Sequence, residues 1–249
     1  MNTVRLITLV TVFLASVNAI AGQVSVAVAA NFTAPMQLIG ERFEAQSGHH
    51  LQLTFASSGK IVAQIQNGAP FDVFLSADTA KPAALIEQQQ AVAASRFTYA
   101  VGTLALWSAD AGKNAKRVLD NGQFNKLAIA NPRLAPYGEA AVQALQKLGL
   151  EKTVQPRLVM GENIAQTYQF VATGNADIGF VALSQIIKDG KAPANAWIVP
   201  AAMHSPIQQD AVILKHGESN KAAAALMQFL HRDPEALAII HQFGYATGE

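Results

Sequence analysis

The sequence predicts an α/β protein built as two lobes. Three observations carry this reading. Short runs rich in Val, Ile, Leu and Phe alternate with stretches of helical period, the pattern of repeated strand and helix units on mainly parallel sheets. The alternation completes one series and then begins a second on the same plan. Two extended segments, around residues 100 and 208, stand where the chain would pass out to a second lobe and return, so that two strand crossovers form a hinge with a cleft between the lobes.

Taken in order, residues 24–30 read as a buried strand and 33–46 as a helix whose apolar face is Met36, Leu38, Ile39 and Phe43. Strand 51–55, helix 61–66, strand 72–75 and helix 82–88 continue the first series. One long strand over 97–107 leads into the second, which runs strand 127–130, helix 138–148, strand 157–159, helix 164–172 and strand 176–181. Strand 209–214 then precedes helices 221–231 and 234–243. This gives residues 22–102 to the first part of lobe I, 103–206 to lobe II and 207–249 to the second part of lobe I.

Residues 1–21 read as a secretory signal peptide, with Arg5 ahead of the apolar run 6–15 and the small-residue pattern Ala19-Ile20-Ala21 before Gly22. That run is shorter than the roughly 20 residues needed to span a bilayer, and Asn18 interrupts it. The expectation is an exported, soluble chain in the periplasm of a Gram-negative bacterium, monomeric and not inserted in a membrane. The whole chain holds 18 Lys and Arg against 17 Asp and Glu, and Arg5 is the only charge in the leader, so the remainder balances. A basic footprint for nucleic acid is therefore missing. With no Cys there is neither a disulfide framework nor a thiolate metal site, and at 51% hydrophobic the chain has material for a large core.

Four places share one design, in which a strand or loop ends in a small or polar residue and a helix begins at once. They are Ala30-Asn31-Phe32-Thr33, Ser57-Ser58-Gly59-Lys60, Ala135-Pro136-Tyr137-Gly138 and Glu162-Asn163-Ile164. Each helix start leaves backbone N–H groups without intrahelical partners and gathers partial positive charge, which makes it an anion site. In open α/β sheets ligands sit beyond the carboxyl ends of strands, so two starts from each lobe would converge on one cleft. Asn31, Ser57 and Ser58 would add side-chain donors, and Gly59 would let the backbone approach closely. Few cations stand nearby, so a fully ionised dianion held by neutral donors fits better than a protonated one, which would want an acceptor carboxylate. Each element also has a plain structural reading: Asn31 and Ser58 as helix caps, Pro136 as a helix-start proline, Tyr137 as packing and Lys60 as a solvated first-turn side chain. Only their recurrence raises the functional reading above these.

The strings VAVAANFTAPMQLIGERFEAQSG, FASSGKIVAQIQNGAPFDVFLSAD, ANPRLAPYGEAAVQALQKLGL and GNADIGFVALSQI hold three of the four starts, and the SSG followed by NGAP-x-D-V-F-x-SAD is their most specific part. They resemble the periplasmic molybdate-binding proteins of molybdate ABC importers, the ModA family. The likeness is strongest for the branch with Asn in the first loop and Pro-Tyr-Gly in the third, the Azotobacter-type molybdate/tungstate-binding branch. The resemblance implies a type II periplasmic binding fold that closes on molybdate or tungstate through hydrogen bonds alone and delivers it to a membrane permease. Carried over by position, the donors would be Asn31 by side chain and backbone, Ser58 by hydroxyl and backbone, and Tyr137 and Ile164 by backbone N–H, with Ala30 and Ser57 adjoining. Molybdenum or tungsten would enter only inside the oxyanion, with no protein atom bound to the metal and no other cofactor. The better-known branch has Ser where this chain has Asn31, and a ligating Tyr where it has Ala182. Tyr137 would replace that Tyr either through its ring hydroxyl or merely through its amide.

Other chemistries were weighed on the residues. The six His (49, 50, 204, 216, 231 and 241) show no H-E-x-x-H spacing, and no G-x-S-x-G elbow surrounds Ser57 or Ser58. Ser58-Gly59-Lys60 matches only the tail of a P-loop. Asp72, Asp78 and Asp177 at strand ends admit paired catalytic carboxylates but are accounted for by turns and caps. A secreted hydrolase is thus the remote alternative, and a binding protein of the same fold for sulfate or another tetrahedral oxyanion the nearer one. Trp107 and Trp197 read as core or interface packing, with a possible use as optical reporters of closure.

Overall fold

A computed structural model describes residues 21–248, so the signal peptide read at residues 1–21 lies, but for Ala21, outside the described residues. The chain forms two mixed five-stranded sheets, each flanked by helices. The first sheet is opened by β1 (Gln23–Ala29), α1 (Thr33–Ser47), β2 (His50–Ala56), α2 (Ser58–Gln66), β3 (Val73–Leu75), α3 (Ala80–Glu87) and β4 (Phe97–Gly102). The second takes β5 (Leu104–Trp107), α4 (Ala115–Asp120), β6 (Leu127–Ala130), α5 (Pro136–Lys147), α6 (Glu151–Val154), β7 (Leu158–Gly161), α7 (Ile164–Ala172), β8 (Ile178–Ala182) and β9 (Trp197–Ile198). The chain then returns through β10 (Ile207–Ile213) to α8 (Lys221–Arg232) and α9 (Pro234–Gln242) against the first sheet.

The strand orders are β2-β1-β3-β10-β4 and β7-β6-β8-β5-β9. In each sheet the strand in fourth place, β10 or β5, runs against the other four. The two sheets thus follow the same plan, and the protein has the two α/β lobes that the alternation predicts and the periplasmic binding fold that the resemblance implies. Helices cover both faces of the first sheet. Val24, Val26 and Val28 of β1 pack with α1, α8 and α9, while Ala27 turns to the side of α2 and α3. A strand buried on both faces has no polar side to show, which is why β1 reads as a continuous apolar run.

The single long strand expected over 97–107 is two strands. It breaks at Thr103, where the chain leaves the first sheet as β4 and enters the second as β5. β10 begins beside that break, with Ile207 opposite Gly102, so the two crossovers lie side by side. Apolar runs on both sides of Gly102-Thr103 hide a change of partner because both sheets bury them equally well. The short α4 and the two-residue β9 carry too little periodicity to be read in advance. α4 is fixed instead by its cap, Asn114, whose side chain accepts from the N–H of Arg117.

One close approach sets α5 against its sheet. A Cβ on Gly138 would lie 2.2 Å from the carbonyl oxygen of Ala130 at the end of β6, so only glycine lets the first turn of α5 sit there. Gly138→Ala is expected to push that turn outward and cost about 1 to 3 kcal/mol, the ordinary range for overpacking. A thermal melt reads this directly: a lowered midpoint is expected, and an unchanged one would contradict the contact.

Candidate functional site

Asn31, Ser57 and Ser58 from the first lobe, and Tyr137 and Ile164 from the second, line one cavity, with Ala30 beside them. Ala29, Ala77, Ala135, Pro136 and Asn163 complete its wall. All six residues singled out from the sequence therefore meet in one place. The cavity is small, about 10 Å³, room for a compact solute only. Its lining contains no Lys, Arg, His, Asp or Glu.

The donors are what the helix starts leave over. A helix start can be closed by a side chain: Asn220 accepts from Ala222 and Ala223 at α8, and Asp233 from Glu235 and Ala236 at α9. At the cavity this is mostly not so. The 3-10 turn Ala30–Phe32, which runs straight into α1, has no side-chain cap, and neither α2 nor α5 has one. In α5, Pro136 has no N–H, and the N–H groups of Gly138 and Glu139 both reach the Ala135 carbonyl, which leaves Tyr137 as the donor of the first turn. In α7 the Asn163 side chain takes the N–H of Gln166 and its carbonyl that of Thr167, which leaves Ile164 and Ala165. In α2 the N–H of Gly59 is taken by Leu134, and that of Ser58 remains.

Two hydroxyls add to these amides. Ser58 Oγ accepts from the N–H of Ala77 at 2.9 Å, so its acceptor side is occupied and its proton is free to donate. Ser57 stands at the N-cap of α2 yet makes no capping bond, and its buried Oγ has no partner among the described residues. A buried hydroxyl left unpaired is costly, and a ligand in the cavity is the available remedy.

The structure revises four details of the sequence reading. The Asn31 carboxamide does not serve the cavity: its Nδ2 donates to Gln209 Oε1 at 2.7 Å and to Tyr245 Oη at 3.0 Å. With both amide protons spent on the framework, only the backbone N–H of Asn31 is left over. The Tyr137 hydroxyl lies beside the crossovers, 3.4 Å from Gln209 Nε2 and close over Gly102, where a Cβ could not fit. It therefore offers the cavity its amide and not its ring. Gly59 brings in the backbone of the opposite lobe, not a ligand, through its N–H to the Leu134 carbonyl at 2.9 Å. Lys60 is paired with Glu162 of the second lobe at 2.6 Å. These last two contacts hold the cleft closed.

The remaining candidates are framework. Asp72 accepts from the N–H of Ser25 and from His216, Asp78 caps the turn at Lys81, and Asp177 takes the N–H groups of Asn125 and Lys126. Trp107 stacks on Tyr168 and Trp197 lies under Lys116, both within the second lobe. No group of three or more His, Cys, Asp or Glu able to hold a metal occurs among the described residues. Burial pushes the hydroxyls of Tyr99 and Tyr137 well above the usual tyrosine range and that of Tyr245 up to about 12. These three hydroxyls therefore stay neutral at physiological pH. No motif marks Gln209, Ser184 and Tyr245, which stand behind Asn31 from distant parts of the chain.

Two lobes that bring uncapped helix starts together over a small neutral cavity define a solute-binding protein. The chain belongs to the bacterial extracellular solute-binding protein family, whose profile matches residues 24–246, and within it to the ModA proteins. It is 53% identical over 228 residues to the molybdate-binding protein ModA of Azotobacter vinelandii, covering 90% of each chain. It is 50% identical over 234 residues to that of Rhodobacter capsulatus, covering 92% of this chain and 90% of the relative. Among solved structures it resembles the Azotobacter vinelandii periplasmic molybdate-binding protein, with a TM-score of 0.86 and 40% identity over 91% of this chain and 100% of the other.

The contact at Gly59 yields a prediction about closure. A Cβ there would stand 3.0 Å from Leu134 Cα and 3.1 Å from its carbonyl oxygen, both on the other lobe, and separating the lobes relieves it. Gly59→Ala should bias the protein toward an open form by about 1 kcal/mol, roughly fivefold in the ratio of open to closed. Small-angle scattering should show a larger radius of gyration than wild type, whereas matching curves would contradict an inter-lobe contact at this glycine.

Proposed function

We propose that this chain is the periplasmic solute-binding component of an ABC importer and that it captures molybdate or tungstate as the dianion, held by neutral hydrogen-bond donors. The observation that carries this is the set of helix starts, two from each lobe, that keep first-turn N–H groups unspent around one cavity whose lining has no charged side chain; three of them have no side-chain cap, and in the fourth Asn163 takes only the N–H of Gln166. Aligned peptide dipoles and several N–H groups at each start favour negative charge, and two lobes can surround a tetrahedral ion that one could not. The proposed donors are the backbone N–H groups of Asn31, Ser58, Tyr137 and Ile164 and the hydroxyl of Ser58, with Ser57 and Ala30 adjoining.

Selectivity follows from what the cavity lacks. Hydrogen phosphate brings a proton that needs an acceptor, and the lining has no carboxylate to receive it. Sulfate has shorter bonds than molybdate and would leave donors stretched or unmade, each at a cost of about 1 to 3 kcal/mol. Tungstate is nearly the same size as molybdate and shares its site. The metal atom enters caged by its own four oxygens, without bonds to the protein, and no resident cofactor is required. The reading has no enzymatic role: Ser58 and Ser57 have neither a His nor a carboxylate beside them in the cavity to activate a hydroxyl.

Export by the leader at residues 1–21 and a periplasmic site agree with a family of extracellular proteins. No helix among the described residues is long and apolar enough to cross a membrane. The partner is a membrane permease that recognises the closed form, in which Lys60 meets Glu162 and Gly59 meets Leu134. The protein works as a monomer and has no nucleic-acid partner.

Calorimetric titration of the mature protein with molybdate, tungstate, sulfate and phosphate tests the reading. Molybdate and tungstate should bind at least about tenfold more tightly than sulfate, and phosphate should not bind measurably. Ser58→Ala should weaken molybdate by about 10- to 100-fold, as for loss of a hydrogen bond to a charged group, while Lys60→Ala changes it only a few-fold. Preference for phosphate or sulfate, or dependence on Lys60 in place of Ser58, would contradict it.

A further inference from the structure

Beside the crossovers lies a buried polar cluster that ligand capture, as described so far, does not use. Tyr245 reaches it from the C-terminal tail, which is tied to β4 by a pair of backbone hydrogen bonds between Ala246 and Val101. The Tyr245 hydroxyl is 2.8 Å from the Asn31 carbonyl oxygen and 2.9 Å from Ser184 Oγ, and Ser184 Oγ donates to the same Asn31 carbonyl at 3.0 Å. Two hydroxyls thus converge on one carbonyl: each donates its single proton to the Asn31 oxygen, and the Tyr245–Ser184 edge is a close contact between the two hydroxyl oxygens. The three groups come from both lobes, because Ser184 follows β8 of the second sheet while Asn31 and Tyr245 belong with the first.

We propose that Tyr245 is a positioning residue that couples lobe closure to the ligand-facing amide of Asn31, with Ser184 as its counterpart on the other lobe. The inference rests on the oxyanion-binding reading and concerns the same site. Asn31 is gripped at its carbonyl by the two hydroxyls and at its carboxamide by Tyr245 and Gln209. A residue fixed at both of those ends has little freedom left in its N–H, so the grip sets where that amide points. The Ser184 hydroxyl is in place only when the lobes are together, since opening carries it away with the second sheet. Closure therefore tightens the grip on Asn31, and an ion held by the Asn31 amide favours closure in return, as linkage requires. Tyr245 joins the two because it contacts the Asn31 carbonyl, the Asn31 carboxamide and Ser184 at once. A purely structural cluster would satisfy the same buried groups but would not make dissociation depend on them.

The test uses the mature full chain, with molybdate as the probe, in stopped-flow and calorimetric binding of wild type, Tyr245→Phe, Ser184→Ala and the double variant. Each single variant should raise Kd about tenfold through faster dissociation, and the double variant should fall well short of the product of the two. Scattering at equal fractional saturation should show less complete closure in both singles. A lowered melting point with wild-type dissociation, or effects of the two variants that multiply independently, would overturn the coupling while leaving the oxyanion reading intact. Failure of wild type itself to bind any tetrahedral oxyanion would overturn both.

Discussion

The constraint on which the rest depends is that a buried N–H must have a partner. Four segments from two lobes arrive at one cavity with first-turn amides that neither side-chain caps nor neighbouring carbonyls take up, and Ser57 adds a buried hydroxyl in the same condition. Two helices away from the cavity, α8 and α9, have the same kind of amides taken up by Asn220 and Asp233. Leaving such groups unpaired costs stability, and the cost falls away when an anion fills the space. On the proposed function, the same feature ties lobe closure to ligand binding.

The absence of charge in the lining belongs to the same logic. A clamp of Arg or Lys would bind many anions and would strengthen with any added charge, whereas fixed amides discriminate by position, because each must meet an oxygen at hydrogen-bond distance. The cations and carboxylates nearest the cleft are spent otherwise. Lys60 and Glu162 join the lobes at the surface, and the carboxylates of Asp72, Asp78 and Asp177 hold turns. The buried tyrosines stay protonated, so their hydroxyls act as fixed dipoles that brace the loops and not as titrating groups.

Much of this was legible in the sequence because it is local. Strands buried on both faces read as apolar runs, and Ser57-Ser58-Gly59 or Ala135-Pro136-Tyr137 announce helix starts by residue type alone. What could not be read is non-local. The break at Thr103 is a change of sheet marked only by Gly102-Thr103 between two apolar runs. The direction of the Asn31 side chain is decided by Gln209 and Tyr245, which are 178 and 214 residues away. A cap-type residue looks the same whether its side chain turns toward the ligand or toward the hinge, so the sequence reading placed both the side chain and the backbone of Asn31 at the cavity, and the side chain proved to be spent on Gln209 and Tyr245. The ModA resemblance fixed the family and could not supply that orientation either.

The central claim is that neutral donors of both lobes, and no charged side chain, surround the bound ion. The most direct measurement is a crystal structure of the molybdate complex with the metal located by its anomalous scattering. The account predicts a single peak inside the cavity, with ion oxygens at hydrogen-bond distance from the backbone nitrogens of Asn31, Ser58, Tyr137 and Ile164 and from Ser58 Oγ. A peak outside that cavity, or one held by Lys60 or another basic side chain, would contradict it.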